Sequence, residues 1–86
     1  MEVEVAKVVK FFAKPSVAAL EMTEGTLRTG DQIHIKGHTT DFTQVVESMQ
    51  IDNAVVEEAK PGDMVGIKTS ERVREHDIVH KVVPDA

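Results

Sequence analysis

"GDQIHIK" (residues 30–36) and "GDMVGIK" (residues 62–68) decide how this chain folds. Each opens on a Gly-Asp pair and runs into a segment where apolar side chains recur at every second position: Ile33 and Ile35, Val65 and Ile67. Period two marks a strand with one face buried. Short polar lead-ins, Arg28-Thr29 and Lys60-Pro61, precede the two pairs. Glycine supplies the positive φ that a tight turn needs, and aspartate bonds its own backbone. The two segments are two uses of one strand-opening turn, too short to define an internal repeat.

Working outward, the same period continues. Glu2-Val3-Glu4-Val5 alternates strictly, and Lys7 to Phe12 is partly apolar on both faces. The change of pattern predicts a bend or bulge. Pro15 ends this strand, Ser16 to Met22 forms the next, and Thr23-Glu24-Gly25 turns the chain. Phe42 to Ile51 reads as one longer strand, in which Phe42, Val46 and Met49 share a face only if a bulge lies near Glu47-Ser48. "GHTTDFTQ" (residues 37–44) is the hairpin before it. Gly37 permits the tight backbone there, and Thr39, Thr40 and Asp41 are expected to bond the turn's own amides. Asp52 to Pro61 has little periodicity and room for one helical turn, Val55 to Ala59. Glu71 to His76 is a charged loop, Asp77 to Val83 a closing strand, and Pro84 its stop.

The sum is roughly six or seven short strands and no convincing helix. The expected fold is all-β: one domain over residues 1–86, a small six-stranded antiparallel closed β-barrel, since closure hides the strand edges. With 3 Phe and no Trp or Tyr, its core must be aliphatic.

At 86 residues the chain supports one small core, and 41% hydrophobic with 29% charged residues is ordinary globular composition. No apolar run is long enough to span a bilayer. The acidic start, Met1-Glu2-Val3-Glu4, is unlike a secretory leader, so the cytoplasm is the expected compartment. The absence of cysteine excludes disulfides and Cys-based zinc sites. A net charge of −5 argues against a duplex-DNA binder. The excess acid falls within residues 39–86, because Lys7, Lys10, Lys14, Arg28 and Lys36 balance the acids before them.

Four histidines form two His-x3-His pairs, His34/His38 and His76/His80. On a helix this spacing makes a metal site. On a strand, residues four apart lie about 13 Å from each other, so one ion cannot bridge them. A cross-strand meeting of His34 with His80 is the geometry left open, and no metal or cofactor is expected. There is no nucleophile elbow, phosphate loop or deep cleft, so the chain is not expected to be an enzyme. Arg72 and Arg74 flank Val73, which points both guanidinium groups one way as a phosphate fork would require. Glu71, Glu75 and Asp77 stand close enough to be expected to neutralise them.

The runs "EGTLRTGDQIHIKG", "VESMQI" and "EEAKPGDMVGIKTSERVREHDIVHKV" resemble the second domain of elongation factor Tu and its translation-GTPase relatives, from about Val5 to Val83. The resemblance implies a six-stranded antiparallel barrel, here as a small stand-alone protein without the GTPase domain. It also implies that Glu47, after Val46, stands where the family's glutamate meets the terminal adenosine of aminoacyl-tRNA, with Gln50 in place of that family's arginine. A similar barrel occurs at the C-terminus of the collagenase-like peptidase family, whose members include RNA-modifying enzymes. The leading expectation is a non-catalytic module that binds RNA (tRNA or rRNA) or a ribonucleoprotein. Its contact residues would be His34, Lys36, His38, Thr40, Phe42, Glu47, Gln50, Arg72 and Arg74, with Gln44 on the same polar face; the direction of the Phe42 ring is open, stacking on a base if exposed and capping the barrel core if turned inward. The alternative is a protein-interaction barrel that docks on a separate GTPase or RNA-modifying enzyme and binds no RNA.

Overall fold

The alternating segments form strands, and the computed structural model describes residues 1–84 of the chain. Residues 85 and 86, the end of the expected 1–86 domain, lie outside the described residues. The strands are β1 (Glu2–Phe12), β2 (Val17–Met22), β3 (Leu27–Arg28), β4 (Gln32–Lys36), β5 (Asp41–Val45), β6 (Met49–Ile51), β7 (Ala54–Val56), β8 (Glu58–Ala59), β9 (Met64–Lys68) and β10 (Ile78–Val82). All pairings are antiparallel. An 8-stranded sheet runs β5-β4-β10-β1-β2-β9-β6-β7, and β3 pairs with β8 in a separate ribbon.

The bend expected in β1 is present twice. Its register slips between Glu4 and Ala6 against β10, and between Val8 and Lys10 against β2. Val5 and Val9 are the extra residues. The first slip lets the consecutive Val5 and Ala6 both face the core. Bulges sharpen local twist, and this lets one long strand hand over from β10 to β2 while the sheet coils around a single core. That core holds Val8, Leu20, Met22, Leu27, Ile33, Ile35, Met49, Ile67 and Val79, aliphatic as composition required, with Phe42 at its margin.

Three expectations are corrected here. The first is barrel closure: the sheet is open, with β5 and β7 at its edges. The expected strand Phe42–Ile51 breaks at residues 46–48, because Val46 turns inward and its backbone is claimed by the Gly30-Asp31 turn. Val46 N–H donates to Asp31 C=O (2.9 Å) and Gly30 N–H donates to Val46 C=O (2.8 Å). The chain therefore leaves β4 before it reaches β9. The seam is bridged by a side chain: Gln44 Nε2–H donates to Lys68 C=O (2.8 Å), and its Oε1 accepts from Ser70 N–H (2.7 Å). One amide stands in for the peptide group of a missing strand.

The second correction is the helical turn at Val55 to Ala59, which is instead β7 and β8. Asp52 (φ 51°) and Asn53 (φ 66°) make the two-residue turn with both central φ positive that matches the twist of a hairpin. The third concerns "GHTTDFTQ". Gly37 N–H donates to Thr40 C=O (2.7 Å), so the turn is closed by backbone, while the Asp41 carboxylate goes to His34. Gly37 is small because Asp77 lies against it where a Cβ would stand.

The Gly-Asp turns are built as expected, and a third turn shares their design. In residues 28–31, Arg28 N–H donates to Asp31 Oδ2 (2.8 Å) and Asp31 N–H to Arg28 C=O (3.1 Å). Lys60 with Asp63 repeats this (2.8 and 3.0 Å), and so does Arg74 with Asp77 (2.8 and 3.1 Å). The third residue has positive φ each time: Gly30 at 94°, Gly62 at 92° and His76 at 75°. His76 thus holds without glycine a conformation that costs other L-residues roughly 1–2 kcal/mol.

Candidate functional site

The hairpin after β1, the hairpin after β4 and the loop of residues 69–77 meet at one end of the sheet. Ser16 Oγ–H donates to Thr69 C=O (2.8 Å), and His76 N–H donates to Val8 C=O (2.9 Å). Lys36 pairs in register with Ile78, and Gly37 abuts Asp77. Segments 10–16, 36–40 and 68–77 carry six of the chain's 10 Lys and Arg residues but only three of its 15 Asp and Glu residues.

Arg72, Val73, Arg74, Glu75 and His76 form one wall of a groove of about 450 Å³, with Phe11 and Ala13 on the other. Val73 is buried and its neighbours Arg72 and Arg74 are exposed, as alternation required. The expected neutralisation does not occur. Among the described residues, no carboxylate forms an ion pair with either arginine. Asp77 is buried and its Oδ2 is committed to the Arg74 backbone. The Arg72 guanidinium instead lies 6.0 Å from the centre of the Phe11 ring, and Lys10 Nζ lies 5.2 Å from that of Phe12.

The other expected contact residues fall elsewhere. Thr40 (5% exposed) and Phe42 (9%) point into the core, so neither offers a contact and Phe42 cannot stack on a base. Both lie on the inward phase of the hairpin, which a turn motif alone does not specify. Lys36 and His38 are exposed at the cationic end. Glu47 lines a shallow cavity of about 220 Å³ at the β5–β9 seam with Gln44, Val45, Lys68, Thr69 and Ser70. Gln50 sits beside Gly66 in a neighbouring hollow.

His34 lies on the outer face of β4 between two acids. Its Nδ1 bonds Glu2 Oε1 (2.8 Å) and its Nε2 bonds Asp41 Oδ1 (2.5 Å). The bonds from Asp41 and then Glu2 hold its pKa above the ordinary 6.5, against a lowering by burial. In return the His34 bond draws the Asp41 carboxyl below 3.8. His34 and His80 do meet across strands: they are register partners with ring centres 6.2 Å apart. Both His34 nitrogens are engaged, and the buried His80 Nδ1 has no hydrogen-bond partner among the described residues. Among the described residues, no group of three or more His, Asp or Glu side chains is placed to hold a metal ion. No helix there is long and apolar enough to cross a membrane.

The fold agrees with what known proteins show. The model of elongation factor G domain 2 matches residues 5–81, and the chain belongs to that family. At the level of whole proteins the similarity lies elsewhere. An uncharacterized protease of Methanocaldococcus jannaschii is 45% identical over 80 residues, which is 92% of this chain and 19% of that protein. A collagenase of Porphyromonas gingivalis strain W83 is 35% identical over 81 residues, 93% of this chain and 20% of the collagenase. The chain thus spans about a fifth of the length of the curated relatives it matches. Among solved structures, the C-terminal domain of a Geobacillus thermoleovorans protein assigned to the U32 peptidases superposes with a TM-score of 0.85 at 20% identity. That match covers 92% of this chain and 91% of that one. A selenomethionine form of the same domain gives 0.86 at 20% identity, covering 92% and 99%.

These relatives correct the functional expectation. The similar proteins are a protease and collagenases, so the reading of a translation-related RNA-binding module does not stand. The barrel-like fold is shared between the two settings, and a shared fold does not transfer a site.

Proposed function

We propose that this chain is a non-catalytic accessory module of the U32-peptidase type, acting through protein contacts with a separate catalytic part. The observation that carries this is the pattern of identity. The match runs across 90–93% of this chain but 19–22% of each curated relative, so the chain corresponds to one module of a larger protein. Catalysis in such proteins would then belong to the four-fifths that this chain does not match. The shallow cavity at the β5–β9 seam and the groove beside Phe11 are open to solvent, which accords with a binding role.

The test is affinity capture with tagged chain from a nuclease-treated extract of the cells that make it, with partners identified by mass spectrometry. A U32-type peptidase recovered in stoichiometric amount is expected. Recovery of no such protein overturns the reading.

A further inference from the structure

We infer that the groove between Phe11 and residues 72–76 is a docking surface for an acidic, carboxylate-bearing protein segment. The inference rests on the accessory-module reading and adds to it a surface and the chemistry of its partner.

Charge comes first. The molecule carries −5 overall, yet six of its 10 basic residues and three of its 15 acidic ones lie in the three segments at this end. Such segregation marks a surface made for anions. Next is the state of the arginines. The third arginine, Arg28, pairs with Glu58 (2.8 Å), and among the lysines Lys7 pairs with Glu21 (3.4 Å) and Lys81 with Asp31 (3.4 Å). Arg72 and Arg74 have no such partner among the described residues, although Glu71 and Glu75 adjoin them in sequence. The Arg72 guanidinium makes a cation–π contact with Phe11 at 6.0 Å, and that contact leaves its N–H donors open. That is the arrangement suited to a bidentate carboxylate. Finally there is His76, which lines the groove in a backbone conformation that the two sister turns assign to glycine. Strained backbone of this kind gathers at binding sites.

The groove fits a peptide better than a nucleic acid. Phe11 and Ala13, with the buried Val73, give it an apolar component beside the two arginines. Lys10 and Arg72 already stand over the rings of Phe12 and Phe11, where a stacking base would compete with them. Glu71 and Glu75 interrupt the continuous positive track that a phosphate backbone follows.

The test is titration of isotopically labelled protein, followed by amide resonances, with acetylated and amidated Glu-Glu-Leu-Glu-Glu. Lys-Lys-Leu-Lys-Lys and oligouridylate are the comparison probes. Saturable shifts confined to residues 10–14 and 70–77 are expected with the acidic peptide alone. Binding should weaken at least fivefold in Arg72→Glu/Arg74→Glu and stay unchanged in Lys60→Glu at the opposite end. The amide spectrum of each variant reports that it is folded. Acidic-peptide shifts centred elsewhere, or tighter binding of oligouridylate at the same residues, overturn the proposal. So does a double variant that binds as well as the unaltered protein. The capture experiment separates the two readings. A peptidase recovered equally by unaltered and doubly substituted chain removes this surface and leaves the accessory role. Failure to recover one removes that role while the titration still reads the groove.

Discussion

At the scale of the residue, small size and fixed direction decide most of what this molecule can present. Gly37 has an ordinary φ, and its constraint is space, since Asp77 fills the volume that a Cβ would take. Asp77 is buried and holds the Arg74 turn, so it cannot swing away. Gly37→Ala should therefore lower stability by about 1–3 kcal/mol, the usual range for overpacking. The urea midpoint reports it, and an unchanged midpoint would show that Asp77 yields. Phe42 illustrates direction. Its ring closes the core, and with that one orientation the most visible aromatic of the chain leaves the surface.

At the scale of the element, the open sheet is held by a device that no strand pattern reveals. Gln44 supplies both a donor and an acceptor to the free edge beyond β9. Gln44→Ala should cost roughly 1 kcal/mol, the net worth of an exposed hydrogen-bonded amide. It should also accelerate hydrogen exchange at the Ser70 amide, and unaltered exchange there would refute the bridging role. Much else about the elements was legible. The alternation in residues 30–36 and 62–68 gave both strands and their inward residues, and the phase change after Val5 gave a bulge. Three features were hidden, each for a physical reason. Val46 is apolar and nearly in phase, so nothing local shows that its backbone bonds a turn distant in sequence. Asp52-Asn53 is a weaker hairpin signal than Asn-Gly. The third strand-opening turn carries His76 where the others carry glycine, which conceals the likeness of residues 74–77 to 28–31. Of the candidate site, the pairing of Arg72 and Arg74 on one side was legible. Their freedom from nearby acids was not, because closeness in sequence does not fix where carboxylates turn.

At the scale of the whole molecule, β1, β4 and β5 are tied across the outer face by His34, which reaches Glu2 and Asp41 at once. Lys36 adds to the lowering at Asp41, and His80 adjoins on β10. The sign of the pH dependence follows. His34 has a folded pKa above 6.5, so its contribution is full below that value and is lost as pH rises through the raised one. Asp41 is lowered from 3.8, so its share is present above that value and is lost as pH falls through the lowered one. The tie is strongest between the two. The thermal midpoint should fall as pH rises above 6.5 and through the raised His34 pKa, and His34→Gln should flatten that fall. An identical slope in the variant would assign the dependence to other groups. The uneven placement of charge has a kinetic consequence. A body that is acidic overall but basic at one end carries a dipole, and an approaching anionic surface exerts a torque on it before any atoms touch. The cationic end turns forward over about one screening length, roughly 8 Å at physiological salt. Encounters arrive already oriented, so the arrival rate of a partner, more than its residence time, would track ionic strength.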